Sequence, residues 1–387
     1  MTAQALKIML VAGEPSGDRL GASLMAALQK RREDVTFVGV GGPSMEAEGL
    51  KSSVPIDDLA VMGLVEVIPR IPQLKRHIRN TAARVQQERP DVLVTIDAPG
   101  FNFRLAKQLT GTEIPRIHYV APSVWAWRPG RAKKIAPLFD HLLALLPFEP
   151  PYFEAVGLPT TFVGHPAVER AQIGDAEAFR ARHDIQEGTR TLVVLPGSRR
   201  SETDRLLPVF AETVRQVLAL HADLRVIVPT VEHVAATVGQ AVKNWPGSPI
   251  VVTGDLERRN AFAVADVALA ASGTVSVELA LAGVPAIIAY DVNRITAAIA
   301  KRLVKTEHVS LVNILLQRAA IPEFILDRCR PDLLTEAVTG LLTSPEAREA
   351  QRQAYAEALD MLRPPMGLPS KAAAEVVLNL INKREAA

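Results

Sequence analysis

Short apolar runs without polar interruptions alternate along the chain with longer amphipathic stretches. One such run, Leu192 to Leu195, is followed by Pro196-Gly197 and then by a helical pattern that continues to Leu220. Strands that a parallel sheet buries on both faces have this uninterrupted apolar character, and the amphipathic stretches suit helices that cover the sheet. Because the alternation recurs in both halves, the pattern predicts an α/β protein with two Rossmann-like units.

The polar segment 166–190, which contains Gly174 and Gly188, indicates a connection between the two units. The predicted strands are residues 6–12, 35–40, 91–96, 116–120, 141–146 and 160–163 before it, and 191–195, 224–228, 249–252, 266–270 and 285–290 after it. We expect a first unit of residues 1–168 and a second unit of residues 169–345. Residues 346–387 are expected to form helices that cross back to the first unit or to a partner chain.

Composition and charge narrow the functional classes. With 387 residues and 48% hydrophobic content the chain can bury two cores, and a formal net charge of +2 gives no reason to expect nucleic-acid binding. The single Cys329 excludes an internal disulfide and fits a reducing compartment. The apolar run Ile8 to Ala12 is too short for a signal peptide, and Glu278 and Pro285 interrupt the most apolar later stretch. We therefore expect a cytoplasmic protein without a membrane span.

The loop after Leu195 has the composition of a phosphate-binding loop. Gly197, Ser198 and Arg199 stand between a buried strand and the first turn of a helix. Unpaired backbone N–H groups and the positive end of the helix dipole favour anions at such a place, and Arg199 and Arg200 add positive charge. This loop is therefore predicted to bind a diphosphate.

A second strand–loop–helix segment, Ala270 to Leu281, repeats this construction. Its loop contains Ser272, Gly273 and Thr274, and Glu278 follows four residues later on the same helix face. A carboxylate at that place suits the two hydroxyls of a ribose. The two loops together predict a nucleotide site.

Asp97 stands at the end of the predicted strand 91–96, at the edge where open α/β sheets bind their ligands. The next helix is predicted to begin near Phe101 or Asn102, so that Asn102 can cap it and Asp97 is too far upstream to do so. Asp97 is then free to act as a general base. A purely structural role for it remains open.

The first loop, GEPSGDRLG at 13–21, resembles a dinucleotide-binding fingerprint only loosely, because its glycine spacing differs. Glu14 and Asp18 would place two carboxylates where a pyrophosphate should lie, which disfavours an NAD-dependent dehydrogenase. A ligand with hydroxyl groups fits these residues better. The alternative is a strained turn in which Ser16 or Asp18 caps the helix.

The segment 121–128 contains Trp125 and Trp127 and leads into a cluster of basic residues that begins at Arg128. Aromatic rings beside cations can hold a sugar ring and an anionic group. Packing of a tryptophan in the core is the alternative. His165 follows the predicted strand 160–163 and is either a site residue or a hydrogen-bonded linker residue.

The segment 59–79 mixes apolar and basic residues, and its two prolines argue against one simple core helix. The mixture suits the headgroup boundary of an anionic membrane or a groove for acyl chains, whereas composition alone favours a core helix with solvated charges. The apolar candidates for this contact are Met62, Leu64, Val65, Val67, Ile68 and Ile71.

A set of motifs spread over nearly the whole chain carries a family resemblance. They are LVAGEPSGDRLGASL (10–24), FVGVGGPSMEAEG (37–49), LAVMGLVEV (59–67), IDAPGFN (96–102), IHYVAPSVWAWR (117–128), LPFE (146–149), FVGHP (162–166), LPGSRRSE (195–202), ASGTVSVE (271–278) and AKRLVKTEHVSLVNIL (300–315). They resemble the lipid-A-disaccharide synthase family of glycosyltransferases, and the pair HYVAPSVWAWR and IDAPGFN is the most specific.

The resemblance implies a GT-B fold, in which two Rossmann-like domains with parallel sheets face each other across a cleft and a helical tail follows. It implies transfer of 2,3-diacylglucosamine from UDP-2,3-diacylglucosamine to 2,3-diacylglucosamine 1-phosphate, with inversion, to give a β-1,6-linked disaccharide 1-phosphate and UDP. Asp97 would take the proton from the acceptor 6-hydroxyl. Ser198, Arg199 and the loop 272–274 would stabilise the leaving UDP, and Glu278 would hold its ribose.

The resemblance also implies an acceptor site and a lipid contact. The acceptor-binding residues would be Glu14, Ser16, Asp18, Ser123, Trp125, Arg128, His165 and Asn313. The segment 59–79 would touch the anionic inner face of the cytoplasmic membrane or the acyl chains, and the protein would be peripheral there and compatible with a homodimer. No cofactor and no metal are expected, because the chain has no Asp-x-Asp and no zinc-like pair of histidines.

Two other functions would use the same architecture. A UDP-sugar 2-epimerase would need several acid–base groups around the sugar and no apolar acceptor surface. A non-catalytic UDP-sugar-binding protein would tolerate loss of Asp97.

Overall fold

The chain divides into two compact α/β units, which we describe from a computed structural model. The structure describes residues 5–59, 64–127, 130–170, 172–292 and 306–385. The first unit comprises Met1–Glu169 together with Leu362–Ala387, and the second comprises Arg170–Met361.

The first unit is built on a parallel sheet that has seven strands in the described part of the chain, in the order β3-β2-β1-β4-β5-β6-β7. The strands are β1 (Leu6–Ala12), β2 (Val35–Val40), β3 (Lys51–Ser52), β4 (Val92–Ile96), β5 (Arg116–Tyr119), β6 (His141–Ala144) and β7 (Thr160–Phe162). β1 and β4 lie at the centre and are almost wholly buried, as their uninterrupted apolar runs predict. The six strands predicted for this half are confirmed, whereas β3 was not predicted.

Seven α-helices follow these strands in the described part of the first half. They are α1 (Pro15–Gln29), α2 (Pro43–Ala47), α3 (Leu64–Glu88), α4 (Pro99–Gln108), α5 (Val124–Trp127), α6 (Arg131–Ile135) and α7 (Pro150–Glu154), with short 3-10 helices at Ile56–Asp58, Ala136–Leu138 and Pro166–Val168. Four of the α-helices have proline as their first residue, where its fixed φ suits a helix and its missing N–H costs no hydrogen bond.

The helix α3 differs from the sequence expectation. Pro69 and Pro72 argued against one simple core helix, yet α3 runs continuously from Leu64 to Glu88. In its second half Ile78, Ala82 and Val85 are buried in the core of the first unit. The burial of this apolar face offsets the backbone hydrogen bonds that the prolines cannot donate.

The second unit has a parallel sheet with six strands among its described residues, in the order β10-β9-β8-β11-β12-β13. The strands are β8 (Thr191–Leu195), β9 (Arg225–Thr230), β10 (Ile250–Thr253), β11 (Val267–Ala271), β12 (Ala286–Tyr290) and β13 (Glu323–Ile325). The five predicted strands are confirmed, and β13 is an addition.

The described helices of the second unit follow the same βαβ rhythm. They are α8 (Ala176–Arg182), α9 (Arg200–Leu220), α10 (Glu232–Val242), α11 (Asp255–Ala263), α12 (Val275–Leu281), α13 (Leu311–Leu316), α14 (Pro331–Thr343) and α15 (Pro345–Met361), with a 3-10 helix at Leu326–Arg328. The core of this unit packs Phe210 and Val214 of α9 with Val338 of α14 against the buried strands.

The last helix, α16 (Pro369–Glu385), returns to the first unit. Its apolar face, with Ala373, Val377 and Ile381, belongs to the same buried core as α1. The Glu169 carboxylate accepts a hydrogen bond from the Ser370 N–H at 2.9 Å. The expectation grouped residues 346–387 as one returning region, whereas α15 lies within the second unit and only the chain from Leu362 onward joins the first. Among the described residues, no helix has the length and apolarity needed to span a membrane.

Candidate active site

Parallel pairing brings five loops of the first unit to one edge of its sheet. β1, β4, β5, β6 and β7 are successive neighbours, with Ala12 opposite Ile96 and Ile96 opposite Tyr119. The loops that follow these strands carry Glu14, Asp97, Ser123, Trp125, Glu149 and His165. Four of the eight residues predicted for the acceptor side therefore lie at the carboxyl edge where open α/β sheets bind ligands: Glu14, Ser123, Trp125 and His165.

Asp97 forms a sharp corner at the end of β4. Its N–H donates to the Tyr119 carbonyl at 2.9 Å, which extends the pairing with β5 by one residue. Both Asp97 (φ 49°) and Ala98 (φ 42°) lie in the left-handed region, which side-chain-bearing residues seldom adopt. Burial raises the pKa of the half-buried Asp97 carboxyl above its ordinary value. A carboxylate of raised pKa is a stronger base, so this geometry suits proton abstraction.

Asn102 does not cap α4, and this prediction is wrong. The helix begins at Pro99 with Ala98 at the N-cap position, because the left-handed corner turns the chain directly into the helix. The Asn102 side chain is buried inside the first unit and donates to backbone carbonyls at the end of β4.

The first loop touches the Asp97 corner. A Cβ atom added to Gly13 would lie 2.8 Å from the Cβ of Ala98, so only glycine permits this approach. Glu14 is the half-buried N-cap residue of α1, and Ser16 is exposed in its first turn. Glu14 and Ser16 follow Gly13 at the start of α1, and their contact with the acceptor stays a prediction.

Asp18 has a structural role instead of the predicted contact with the acceptor. Only 3% of it is exposed, and its carboxylate accepts from the N–H groups of Gly42 (2.7 Å), Ser44 (2.9 Å) and Met45 (3.0 Å). Desolvation opposes ionisation, but these backbone hydrogen bonds outweigh it and hold the pKa of Asp18 below its ordinary value. The carboxylate caps α2, not its own helix, and we remove it from the acceptor set.

Trp125 is oriented by a buried carboxyl group. Its indole Nε1 donates to Glu149 Oε1 at 3.3 Å, and the Leu146 N–H donates to Glu149 Oε2 at 3.0 Å. Burial raises the pKa of Glu149 to about 7. The hydrogen bonds favour the ionised form and lower the pKa, but the effect of burial is larger. Sequence reasoning did not single out Glu149, although it ends the LPFE motif. Ser123 is exposed and directly precedes α5, the helix that contains Trp125. Arg128 lies outside the described residues.

His165 has the linker role that was the alternative for it. The Nδ1 atom of its side chain accepts from the Ala167 N–H at 3.2 Å, and its backbone N–H donates to the Leu362 carbonyl at 2.9 Å. It therefore ties the end of β7 to the returning C-terminal segment. Its contact with the acceptor stays a prediction.

The predicted phosphate loop of the second unit already holds a carboxylate. The N–H groups of Ser198 and Arg199 both donate to Glu202 Oε2, at 3.0 and 3.1 Å, and the Arg199 guanidinium pairs with Glu202 Oε1 at 2.8 Å. Gly197 has φ 111°, and a Cβ there would lie 2.7 Å from the Cβ of Glu202. Glu202 demonstrates that these donors converge on anionic oxygens, and its place three residues after the N-cap was the signal that sequence reasoning missed.

His233 supports the same loop from the neighbouring strand–helix connection. Its Nε2 donates to the Ser198 carbonyl at 2.6 Å. His233 lies in the first turn of α10, which follows β9, the strand next to β8. The loop is therefore held through its N–H groups by Glu202 and through a carbonyl by His233.

The second predicted loop, residues 272–274, lies after β11, which pairs with β8. The Ser272 hydroxyl donates to the Val309 carbonyl at 3.2 Å, and Gly273 has φ 158°. Thr274 is the N-cap residue of α12, which presents Glu278 in its first turn. Pairing of Leu195 with Ala270 places the two predicted loops side by side at one edge of the second sheet.

Glu278 is paired with an arginine that sequence reasoning did not identify. Arg258 Nη2 lies 3.3 Å from Glu278 Oε2 and 3.1 Å from Asp255 Oδ1. Arg258 comes from α11, so it joins the loop after β10 to the carboxylate proposed for the ribose. This ion pair fixes the direction of the Glu278 side chain.

Asn313 is buried and fully used inside the protein, which contradicts its predicted contact with the acceptor. Its Nδ2 donates to the Ile321 carbonyl (2.8 Å) and to Glu323 Oε1 (2.9 Å). Its Oδ1 accepts from the N–H groups of Ala320 (2.9 Å) and Ile321 (2.8 Å). Glu323 in turn accepts from the Val309 N–H, so Asn313 supports the segment on which Ser272 rests.

The lipid-contact residues are only partly described. Met62 lies outside the described residues, and the side chains of Leu64, Val65, Val67 and Ile68 on α3 do as well. Ile71 is 39% exposed. Within the described ranges, no group of three or more histidine, cysteine, aspartate or glutamate side chains has the arrangement of a metal site.

Comparison with protein families gives one match over nearly the whole chain. A family model described as lipid-A-disaccharide synthetase matches residues 8–375. The lipid-A-disaccharide synthase of Rhodospirillum centenum is 52% identical over 383 residues, which are 98% of this chain and 96% of that protein. The enzyme of the same name from Paramagnetospirillum magneticum is 50% identical over 382 residues, which are 97% and 98% of the two chains.

Solved structures share the fold at low identity. A putative UDP-N-acetylglucosamine 2-epimerase from Listeria monocytogenes superimposes with a TM-score of 0.66 at 15% identity, over 98% of this chain and 97% of that one. Acinetobacter baumannii MurG gives a TM-score of 0.52 at 14% identity, over 98% and 99%. Likeness at this identity speaks for the fold alone, and the fold is of the GT-B type that the motifs implied.

Proposed function

The chain belongs to the lipid-A-disaccharide synthetase family of glycosyltransferases, and we propose that it joins two acylated glucosamines. The donor would be UDP-2,3-diacylglucosamine and the acceptor 2,3-diacylglucosamine 1-phosphate. The products would be the β-1,6-linked disaccharide 1-phosphate and UDP, with inversion at the anomeric carbon. Relatives at 50–52% identity that bear the synthase name support the reaction class.

The observation that carries the mechanism is the Asp97 corner, which has a carboxyl group of raised pKa at the carboxyl end of β4. In the proposed step the acceptor 6-hydroxyl oxygen attacks the anomeric carbon while Asp97 takes the hydroxyl proton. The bond from that carbon to the UDP oxygen breaks, and the electron pair leaves with UDP. One displacement of this kind inverts the anomeric configuration and needs one base.

The loops of the second unit would stabilise the leaving UDP. The N–H groups of Ser198 and Arg199 and the Arg199 guanidinium converge on one carboxylate, and a diphosphate would use the same donors. The loop 272–274 lies beside them and would bind further phosphate oxygens. Glu278, oriented by Arg258, would accept hydrogen bonds from the ribose hydroxyls.

The acceptor sugar would lie against the carboxyl edge of the first sheet. Glu14, Ser16 and Ser123 would contact its hydroxyls, and Trp125 would pack on its ring. We further propose that the reaction needs no metal, and that the start of α3 binds the acyl chains or the anionic inner face of the cytoplasmic membrane, where the lipid substrates reside.

The proposal is tested by incubating the protein with UDP-2,3-diacylglucosamine, with and without the 1-phosphate acceptor, in EDTA. We expect UDP and a lipid disaccharide only when the acceptor is present. Loss of activity in EDTA with recovery on adding Mg²⁺ would contradict metal independence alone. Conversion of UDP-N-acetylglucosamine without an acceptor would favour a 2-epimerase, and tight UDP binding without turnover would favour a sensor.

The variant Asp97→Asn tests the base directly. It keeps the size of the side chain but cannot accept the proton, so we expect kcat to fall by roughly 10²–10⁴-fold. UDP affinity, measured by calorimetry, should stay unchanged because the phosphate loop belongs to the second unit. A kcat for Asp97→Asn within about tenfold of the parent value would contradict the base assignment.

A further inference from the structure

The backbone conformation at Asp97 and Ala98 must be stabilised by neighbouring groups. Asp97 and Ala98 are consecutive non-glycine residues with φ of 49° and 42°. Non-glycine residues are strained in this conformation, which persists only where the surrounding structure imposes it. The direction of the Asp97 carboxylate depends on this backbone, because φ and ψ determine where the Cα–Cβ bond points.

The buried side chain of Asn102 meets the backbone at this corner. None of Asn102 is exposed, and its Nδ2 donates to the Asp97 carbonyl at 2.8 Å and to the Ile96 carbonyl at 3.1 Å. The Val11 carbonyl of β1 lies 3.4 Å from the same nitrogen. An amide NH₂ has two protons, so the two shorter contacts are full hydrogen bonds and the third is weak.

The main chain of α4 holds the corner from its other side. The N–H groups of Phe101 and Asn102 both donate to the Ala98 carbonyl at 3.0 Å. Residue 102 therefore fixes the carbonyl of Asp97 with its side chain and that of Ala98 with its backbone. Relaxation of the corner towards an ordinary β conformation would leave the buried amide donors of Asn102 unpaired, which is unfavourable away from water.

We propose that Asn102 is a positioning residue that sets the direction and the desolvation of the Asp97 carboxylate. This inference rests on the proposed function, in which Asp97 is the base. Asn102 does not touch the substrates. It acts by holding the backbone of Asp97 in the left-handed conformation, and thereby keeps the carboxylate half-buried and aimed from the carboxyl edge of the sheet.

The experiment uses Asn102→Ala and Asn102→Leu, both of which remove the two amide donors without adding a charge, while the second keeps the branched shape of the side chain. We expect kcat to fall roughly 10–100-fold, since misplacement of a catalytic group by about 1 Å has effects of this size. UDP affinity should remain within about twofold of the parent, because ordinary packing changes do not reach the other unit.

The pH profile separates positioning from a loss of stability. Burial raises the pKa of Asp97, and a relaxed corner would expose the carboxylate to water. The base must be deprotonated, so the acidic limb of kcat/KM should move to lower pH in both Asn102 variants. A variant that is only less stable would keep the parent limb when assayed below its melting temperature.

Gln351→Ala is the matched control. Gln351 is also a buried amide that is hydrogen-bonded to the backbone. Its Oε1 accepts from the Ala286 N–H at 2.8 Å, and its Nε2 donates to the Ala286 carbonyl at 3.2 Å. It acts at the first residue of β12, at the amino end of that strand. We expect a lower melting temperature for Gln351→Ala with kcat and the acidic limb unchanged.

The two proposals fail in different ways. If kcat falls about 10²-fold or more in Asp97→Asn while both Asn102 variants keep the parent kcat and acidic limb, the positioning role is wrong and the base assignment stands. If Asp97→Asn keeps a kcat within about tenfold of the parent value, the base assignment itself fails. Asn102 variants that fold at no temperature, or that lose kcat without any shift of the limb, would make Asn102 a structural residue and overturn the inference.

Discussion

At the scale of single residues, the Glu202 carboxylate occupies the hydrogen-bond donors of the predicted phosphate loop. The two N–H groups and the guanidinium predicted to bind diphosphate are already engaged by its carboxylate. The diphosphate of UDP, if it binds at this loop as proposed, would be an acceptor for the same donors as Glu202, so Glu202 would have to yield at least part of its hydrogen bonds. The carboxylate keeps the loop formed in the absence of a ligand and competes with the ligand at the same time.

This competition predicts that Glu202→Gln binds UDP more tightly. Glutamine keeps the shape and one acceptor oxygen, but it loses the charge that makes hydrogen bonds to a carboxylate about twice as strong as neutral ones. A difference of about 1 kcal/mol corresponds to roughly fivefold tighter binding, measurable by calorimetry. The control is Glu212→Gln, which removes the same charge from an exposed ion pair with Arg215 on the same helix. Equal or weaker UDP affinity in Glu202→Gln would show that the two acceptors do not compete.

At the scale of secondary-structure elements, α13 and β13 support the second predicted loop. Asn313 of α13 and Glu323 of β13 are hydrogen-bonded to each other, and Glu323 accepts from the N–H groups of Val309 (3.1 Å) and Ser310 (2.8 Å). The Val309 carbonyl then accepts from Ser272. A side chain that touches no ligand is thus linked to the 272–274 loop through two further hydrogen bonds.

Asn313→Asp is expected to weaken UDP binding and to leave the KM for the acceptor unchanged. The new carboxylate has no N–H to donate to Glu323 or to the Ile321 carbonyl, both of which accept from Asn313 in the parent protein. We therefore expect the segment 309–313 to shift and to loosen the 272–274 loop. We expect a loss of roughly 1–3 kcal/mol in UDP affinity together with a lower melting temperature. Gln351→Glu, an amide-to-acid change elsewhere in this unit, should lower only the melting temperature. A raised acceptor KM at parent UDP affinity would restore the acceptor role predicted from the sequence.

The same elements show what the sequence could and could not predict. The central strands were predictable because burial on both faces leaves an uninterrupted apolar run, as in Leu192 to Leu195. β3 and β13 have two and three residues, too few for a pattern, and exist because a neighbouring strand offers them hydrogen bonds. Asp97 was found from its place at a strand end. The roles of Asn102, Asp18 and Asn313 depend on which backbone groups their side chains reach in the folded chain, and the residue pattern does not contain that information.

At the scale of the whole molecule, the second unit is inserted into the first. The chain leaves the first unit after Glu169 and returns at Leu362, and His165, Glu169 and Ser370 bind the returning segment to the strand end where it left. The first unit is therefore complete only once the C-terminal helix α16 has been synthesised, because Ala373, Val377 and Ile381 fill its core. α3 also belongs to this unit, so the proposed acceptor site and the proposed lipid contact are carried by the same unit.

The lipid contact predicts a difference in vesicle binding. The described part of α3 buries Ile78 and exposes Lys75, Arg76 and Arg79, so its second half is anchored in the core and presents positive charge. We expect the protein to bind vesicles that contain phosphatidylglycerol more strongly than neutral ones, and less strongly at high salt. The double variant Val65→Ser and Ile68→Ser should reduce co-sedimentation with these vesicles, because each buried apolar side chain contributes about 1.5–3 kcal/mol.

The matched control for this prediction removes apolar surface from the other unit. Ile173 is 96% exposed and Leu220 63% exposed, and both belong to the second unit. Replacing both with serine should leave vesicle binding as in the parent if the contact lies on α3. Undiminished co-sedimentation of the Val65 and Ile68 variant would contradict that location, whereas equal loss in both double variants would indicate adsorption through general surface hydrophobicity. We expect vesicle binding to fall only in the Val65 and Ile68 variant, and its turnover of a short-chain soluble acceptor to stay unchanged. This result would show that α3 serves membrane binding and not the chemical step.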